Sequence, residues 1–496
     1  MRTRALLLAA LALAGCSQAV RYERPTRAVV DPAFPVELRP DGRGRRATEI
    51  PWREFFADPR LQALIAQALD NNRDLLVATA RIDEARAQYR IVRADRLPAV
   101  DLRASAGFGG GGGSGGGGSS TGGGAPTDPR NPTDPTDPTN PTNPGTGSGS
   151  GGSGGGGGRY QIEAAVASYE LDFWGRVRSL GRAARALYLQ TVEAQRAFRI
   201  TLIADVAEAY LVGRELDDRI ALADAAIRSR QQSLRIATRL FEEGEGSRLE
   251  IEQERALLTD AQAQRADLAR QEAQSRNLLQ LLVGRPLDPA LPLPRALAAQ
   301  GLLADIPAGL PSELLNNRPD ILAAERALEA ATADIGAARA AFFPRIALTG
   351  SLGLSSDSLD GLFSDGPVWS FVPSLVAPIF DGGATRANLS LAEARRNVAV
   401  LQYERTIQVA FREVADALAA RRFLGDQLRA QEAQLAAQRE RLRLIELRFT
   451  EGFSALIDVL DARREIFTAE QLLVQTRRAQ LSNAVSLYTA LGGGLR

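Results

Sequence analysis

The chain has 496 residues, of which 45% are hydrophobic and 24% charged, and its formal net charge is +1. It contains no His and a single Cys, and because there is no Lys, all 60 basic residues are Arg. These absences exclude a Walker lysine, a Schiff-base amine, an imidazole base and a His/Cys zinc cage, so we expect no enzyme. Interleaved Arg and Glu leave no clustered basic face, so no nucleic-acid partner is expected.

The first residues have the pattern of an export signal. Two Arg residues precede an apolar run, and residues 13–16 read Leu-Ala-Gly-Cys,. This tetrapeptide resembles the bacterial lipobox, which implies removal of residues 1–15 as a lipoprotein signal peptide and lipidation of Cys16. An ordinary signal with an incidental Cys is the alternative. Ser17 in place of Asp favours the outer membrane, by resemblance to lipoprotein sorting. Residues 16–60 are predicted to be an anchor segment, and apart from the covalent lipid no cofactor is expected.

The remaining sequence is a duplication. Asn-Asn-Arg motifs begin at Asn71 and Asn316, and matching segments follow each of them in the same order,. The repeats are predicted to span 61–285 and 312–491, with the Pro-rich stretch 286–311 as the connecting linker. Each repeat is expected to have the order helix-strand-strand-helix.

Alternation of apolar and polar residues predicts two strands in each repeat. Trp369, Phe371 and Leu375 of the last strand are expected to share one face. Strands of about ten residues with one apolar and one polar face can cross a bilayer in a barrel, and a soluble hairpin with one wet face is the alternative. Four strands cannot close a barrel, whereas two copies would supply eight and three copies twelve. The predicted strands cover residues 98–108, 160–171, 345–354 and 368–379.

The first hairpin contains a low-complexity insert, residues 109–158. Gly/Ser runs flank a core with proline at every third residue, which is the period of a polyproline II helix. We interpret the insert as a solvated extracellular loop. Binding of calcium or a surface ligand to its Asp and Asn residues is the alternative.

Two uninterrupted helical patterns run from Gly175 to Glu243 and from Asp381 to Glu451. At 1.5 Å per residue, such helices are about 100 Å long, too long for a compact globule. Turns at Gly244 and Gly452 are expected to return the chain, because glycine adopts a positive φ at a helix end. A filamentous coiled coil is the alternative on the helices alone.

Four motifs resemble a known family, the TolC-like outer membrane factors of bacterial efflux, in the OprM- and NodT-like lipoprotein branch. They are LPSELLNNRPDI (310–321), PIFDGG (378–383), LRFTEG followed by DVLDA (447–462) and LYTALGGG (487–494). The resemblance covers almost the whole mature chain except the insert.

The resemblance implies a mainly α fold with a transmembrane β portion: a homotrimer with an α-barrel and a 12-stranded outer-membrane β-barrel. It implies a passive conduit from periplasm to exterior in a tripartite export system. The expected partners are outer-membrane lipid, a periplasmic adaptor (membrane fusion) protein and an inner-membrane pump, commonly proton-driven. A structural periplasmic coiled-coil lipoprotein without channel activity is the alternative.

The resemblance also implies functional residues near the two turns. Ile457, Asp461 and Arg464 share one helix face and match the family's pore-constriction positions, so they are the predicted gate,. A solvated i, i+3 pair is the alternative for the two charged residues. The candidates for adaptor contact are Arg239, Leu240, Phe241, Gly244, Arg448, Phe449 and Gly452. Acidic residues expected to favour cations at the entrance, or to keep the first turn soluble, are Glu242, Glu243, Glu245, Glu250, Glu252 and Glu254,.

Overall fold

The computed structural model of the chain describes residues 18–25, 29–31, 34, 45–108, 158–302, 306–307 and 311–495. The predicted signal peptide 1–15, Cys16 and all but the last residue of the predicted loop 109–158 lie outside the described residues. The described chain forms two compact units. One unit is helical and contains Asp172–Phe343 with the described residues before Leu97 and after Ala377. The other contains the strands.

The helical unit is dominated by two pairs of long helices. Its two longest helices have 67 residues each, which at 1.5 Å per residue makes each about 100 Å long,. The helices that the structure describes are α1 (Trp52–Phe55), α2 (Pro59–Asn71), α3 (Arg73–Ala94), α4 (Arg176–Glu242), α5 (Arg248–Val283), α6 (Pro311–Asn317), α7 (Pro319–Ala340), α8 (Ala384–Thr450) and α9 (Leu456–Ala490).

The two longest helices begin in the same way, although they lie in different repeats. Each is preceded by a glycine in the left-handed conformation, Gly175 with φ 81° and Gly383 with φ 91°. An aspartate then supplies acceptors for the unpaired amides of the first turn. The Asp172 carboxylate accepts from the amide of Arg178 at 2.8 Å, and that of Asp381 accepts from the amide of Thr385 at 2.8 Å.

The strand unit is one antiparallel sheet in the order β1-β2-β3-β4. The first strand begins three residues later than predicted, and the last ends at Val376 where residue 379 was predicted. A β-bulge between Val166 and Tyr169 shifts the register of the central pair,. The strands are β1 (Asp101–Phe108), β2 (Gly158–Glu170), β3 (Arg345–Ser356) and β4 (Pro367–Val376).

Strand pairing gives the sheet an apolar and a polar face. The register confirms that Trp369, Phe371 and Leu375 share one face,. Val368, Val372 and Val376 point the other way, where they alternate with Ser370 and Ser374, so this side of β4 is mixed. Before the bulge, the apolar face includes Leu102, Ala104, Ile162, Ala164, Leu352, Leu354, Trp369 and Phe371. The polar face includes Arg103, Ser105, Gln161, Glu163, Ser351, Ser355, Ser370 and Ser374.

The main core of the helical unit joins the N-terminal helices to both repeats. The ring of Phe55 stacks on that of Tyr488 with centroids 4.1 Å apart, and the Tyr488 hydroxyl donates to the carbonyl oxygen of Ile50 at 2.7 Å. The hydroxyl of Tyr210 donates to the buried carboxylate of Asp58 at 2.6 Å. These two buried hydroxyls and the Asp58 carboxylate are therefore hydrogen-bonded, as burial requires,.

The predicted anchor segment 16–60 does more than extend the chain, since it contains α1 and the start of α2. Residues 18–25 of this segment, which we call the strap, contact both repeats. The amide of Gln18 donates to the carbonyl oxygen of Trp174 at 3.1 Å, and residues 22–24 lie against α7. Arg24 contacts the carboxylate of Glu325 in α7 through two nitrogens, Nε at 2.8 Å and Nη2 at 2.7 Å. The Tyr22 hydroxyl donates to the same carboxylate at 3.1 Å, and Glu325 is buried. This charge-assisted cluster holds the strap in place.

Candidate functional site

The turn between α4 and α5 is closed by main-chain hydrogen bonds around a positive-φ glycine. Gly244 has φ 82°, a conformation that costs glycine little and other residues more,. The amide of Glu245 donates to the carbonyl oxygen of Leu240 at 2.9 Å. A capping box then starts α5: the Ser247 hydroxyl accepts from the amide of Glu250 at 3.3 Å, and the Glu250 carboxylate accepts from the amide of Ser247 at 3.1 Å,.

The turn between α8 and α9 repeats this geometry with a weaker cap. Gly452 has φ 79°, and the amide of Phe453 donates to the carbonyl oxygen of Arg448 at 2.8 Å. The Asp458 carboxylate accepts from the amide of Ala455 at 3.2 Å. Because Ala455 has no side-chain oxygen, the reciprocal bond of a capping box is missing here.

Both turns expose apolar side chains. Among the predicted adaptor-contact residues, Leu240, Phe241 and Phe449 are exposed. A more exposed side chain that was not among the predicted residues is Phe453, which is 73% exposed and directly follows the second glycine. The sequence could have indicated this, because Phe453 directly follows a turn glycine. An aromatic residue at a turn cannot be buried between packed helices. Other exposed apolar residues beside the turns are Leu249, Leu447 and Ile457.

The predicted gate residues lie on the first turns of α9. Nη2 of Arg464 is 3.0 Å from Oδ1 of Asp461, and these side chains are 56% and 43% exposed. Ile457 is also exposed. Within one chain, the two charged residues therefore form the i, i+3 pair that was the alternative to a gate, and the gate stays a prediction.

One arginine connects the two helix hairpins close to the predicted gate. Arg463 of α9 donates from Nη1 to the Ser233 hydroxyl of α4 at 3.1 Å. Its Nη2 donates to the Glu446 carboxylate of α8 at 2.8 Å. Arg463 was not among the predicted site residues, because one Arg among 60 basic residues has no distinguishing pattern in the sequence.

One member of the acidic group at the first turn is not a surface residue. Glu254 of α5 is 1% exposed, so it is not a solvated charge at an entrance. Burial raises its pKa above the usual value, and the charges of Arg463 and Arg230 oppose that shift,. Burial likewise lowers the pKa of the Arg230 guanidinium. The alternation of Glu with other residues in the sequence could not reveal which Glu faces the helix interface.

The fold and these turns together define a class of protein. Two pairs of long antiparallel helices, closed by glycine turns, occur in one chain with a four-stranded sheet that is apolar on one face. This is the architecture of an outer-membrane channel of the TolC-like class.

Comparison with known proteins supports this assignment to a class. The sequence profile of the outer membrane efflux protein family matches residues 64–285 and 310–493, and the chain belongs to this family. It is 41% identical over 494 residues to the solvent efflux pump outer membrane protein SrpC of Pseudomonas putida, covering 98% of this chain and 97% of the relative. It is 41% identical to the outer membrane protein OprJ of Pseudomonas aeruginosa, covering 98% and 95%.

A solved structure gives the same result. The open state of the MtrE outer membrane channel of Neisseria gonorrhoeae superposes with a TM-score of 0.82 at 37% identity, covering 97% of this chain and 99% of that one. The protein is therefore an outer membrane component of an efflux pump, a transport protein. Across the part of the chain that the structure describes, no helix is both long and apolar enough to cross a membrane.

Proposed function

We propose that three copies of this chain form one passive export conduit. Three four-stranded sheets would close a 12-stranded β-barrel in the outer membrane, and the long helices would form an α-barrel in the periplasm. The observation that carries the proposal is the open sheet: among the described residues, β1 pairs only with β2, and β4 pairs only with β3. An open sheet edge is not tolerated in lipid, so further copies must cover it.

Exposed apolar residues at the edges of the repeat support assembly with further copies. All ten residues of β4 are exposed in the single chain. Ile379 and Phe380, between β4 and α8, are 93% and 92% exposed. In the first repeat, Trp174 lies between β2 and α4, and its ring stacks on that of Phe343 with centroids 4.7 Å apart. A neighbouring copy would give the second repeat the cover that the first finds within its own chain.

The other components of the proposal concern attachment and partners. A lipid on Cys16 would tether each copy to the outer membrane, with the strands providing the crossing. A periplasmic adaptor would contact the two turns, where Phe241, Phe449 and Phe453 offer apolar anchors,. An inner-membrane pump would supply the energy. At the threefold axis, rings of Ile457, Asp461 and Arg464 would narrow the periplasmic mouth.

Two matched substitutions on β4 test the barrel. Trp369→Arg puts a charge on the apolar face, where an arginine near the bilayer midplane costs about 2–4 kcal/mol per chain. Ser370→Arg puts the same charge on the polar face, where the Ser370 hydroxyl now meets that of Ser351 at 2.9 Å. We expect the first to abolish channel insertion into planar bilayers and the second to leave a defined conductance.

The measurements are single-channel conductance and the mass of the detergent-solubilised assembly. A mass of three chains and a defined wild-type conductance support the proposal. Equal tolerance of both substitutions would contradict the membrane-facing assignment of the apolar face. Absence of any conductance from the wild-type protein would favour the structural coiled-coil lipoprotein instead.

A further inference from the structure

A buried carboxylate lies between the two helix hairpins, beside the Ser233 hydroxyl but without a hydrogen bond of normal geometry. Neither oxygen of Glu254 has a hydrogen-bond partner among the described residues, although its residue is 1% exposed. It lines a cavity of about 350 Å³ between α4, α5, α8 and α9. A charged carboxylate in such a place is costly unless a proton or a cationic partner compensates it. Apolar walls of the cavity are Leu222, Leu257, Leu442, Leu460 and Phe467.

The charged groups around this cavity leave one negative charge without a partner. Arg230 of α4 forms an ion pair with Asp260 of α5 at 3.8 Å, and it also donates a hydrogen bond to the Leu257 carbonyl oxygen. Glu470 of α9 pairs with Arg439 of α8 at 2.6 Å. What remains is Arg463 of α9, facing Glu446 of α8 and Glu254 of α5.

Arg463 brings one positive charge to these two carboxylates, so it can neutralise only one of them. Its two terminal nitrogens are engaged by Ser233 and by Glu446, the latter at 2.8 Å. Glu254 therefore lacks a partner in this arrangement. If Arg463 turned to Glu254, it would release Glu446, whose side chain is 43% exposed and is easily hydrated,.

We propose that Glu254, Arg463 and Glu446 form a proton-controlled latch between the two helix hairpins. With Glu254 protonated, Arg463 pairs with Glu446 inside the second hairpin and is joined to the first hairpin only by its hydrogen bond to the neutral Ser233 hydroxyl. When Glu254 releases its proton to solvent, Arg463 pairs with Glu254 and ties α9 to α5. The inference rests on the proposed conduit for its effect on transport.

The latch acts on the helix that carries the predicted gate. Arg463 is adjacent in sequence to Arg464, but the two side chains point to different sides of α9, because successive residues are about 100° apart on a helix. Arg463 faces the cavity, and Arg464 pairs with Asp461 on the helix face of the predicted gate residues. An ion pair between α9 and α5 holds the two turns close to each other. The conduit is therefore narrower when Glu254 is charged.

The pH dependence follows from the direction of the shift. The pKa of Glu254 is raised in the folded protein, so its neutral form persists above the usual carboxyl range,. As pH rises through the folded pKa, the latch engages. Wild-type conductance should then fall as pH rises from the usual carboxyl range through the raised pKa of Glu254, and Glu254→Gln should remove that part of the fall,.

Two further variants separate the latch from other titrating groups. Glu446→Gln removes the competitor for Arg463, so the conductance transition should move to lower pH by about one unit. Glu252→Gln is the matched control, since Glu252 lies two residues away on α5, is exposed and pairs with Arg255. It should titrate like the wild type.

A second measurement does not depend on conduction. The thermal unfolding temperature of the detergent-solubilised protein is followed against pH for the wild type and for Glu254→Gln. Since a raised carboxyl pKa costs stability as pH rises from the unfolded value to the folded one, the variant should unfold at a higher temperature at about pH 8 and equally at about pH 4.

The outcomes distinguish the latch from the conduit. If the wild type conducts but Glu254→Gln titrates identically to it, or Glu446→Gln moves the transition upward, the latch is wrong. If no variant conducts while the difference in unfolding temperature appears, the proton site at Glu254 stands and the conduit is wrong. If the unfolding temperatures do not differ at any pH, Glu254 does not hold a proton and the latch is wrong.

Discussion

The strap that follows the predicted lipid site should open when one arginine is removed. Arg24→Ala removes two contacts to the buried carboxylate of Glu325, at 2.7 and 2.8 Å. Of this cluster, only the hydrogen bond from the Tyr22 hydroxyl then remains. Breaking a fully buried ion pair costs about 3–5 kcal/mol. The Arg24 side chain is 40% exposed and that of Glu325 8%, so solvent screening reduces the expected cost to about 1–3 kcal/mol,.

Limited trypsin cleavage after Arg21, followed by mass spectrometry of the fragment ends, measures this opening. When opening and closing are fast, cleavage follows the open population, and each 1.4 kcal/mol is about tenfold. Arg24→Ala should therefore speed cleavage at this bond by about 5- to 150-fold. Arg45→Ala is the control, because the Arg45 and Glu54 side chains are 53% and 47% exposed. A pair of that kind is worth about 0–1 kcal/mol. Equal rates in the two variants would refute the role assigned to the Glu325 cluster.

Three further predictions concern the turns and the helix ends. Combined substitution of Asp461→Ala and Arg464→Ala should raise single-channel conductance, since three copies of a pair worth about 0–1 kcal/mol are lost; an unchanged closed state would show that the pair observed within one chain is only a solvated pair. Replacing Phe241 and Phe449 by Glu should weaken binding of the adaptor, measured by co-purification, while leaving conductance unchanged; loss of both properties would indicate damage to the fold. Gly284→Ala should lower the thermal unfolding temperature, because the glycine has φ 76° and a Cβ there would lie 2.4 Å from a main-chain carbonyl oxygen, at a cost of about 1–3 kcal/mol; an unaffected unfolding temperature would show that the helix end relaxes freely.

Local patterns predicted the elements well, because each depends on neighbours in sequence. Alternation along β4 identified Trp369, Phe371 and Leu375 as one face, and the strand register bears this out,. The glycines at the two turns, Gly244 and Gly452, were identified from the ends of the helical patterns, and both have positive φ. The start of β1 and the end of β4 were each predicted three residues too far out. The apolar–polar alternation continues there, although no neighbouring strand pairs with these residues.

What the sequence alone determined about this protein is its duplication, its element order and its family, because repeated motifs and periodicity are written along the chain. Tertiary structure decided which charges meet. Glu252 and Glu254 are two residues apart in one acidic run, yet one is a solvated ion pair and the other is buried opposite Arg463. That difference arises from the rotation of α5 against α4 and from helix α9, some 200 residues later in the chain. The electrostatic energy of a carboxylate depends on the groups around it in space, and no local pattern specifies those groups.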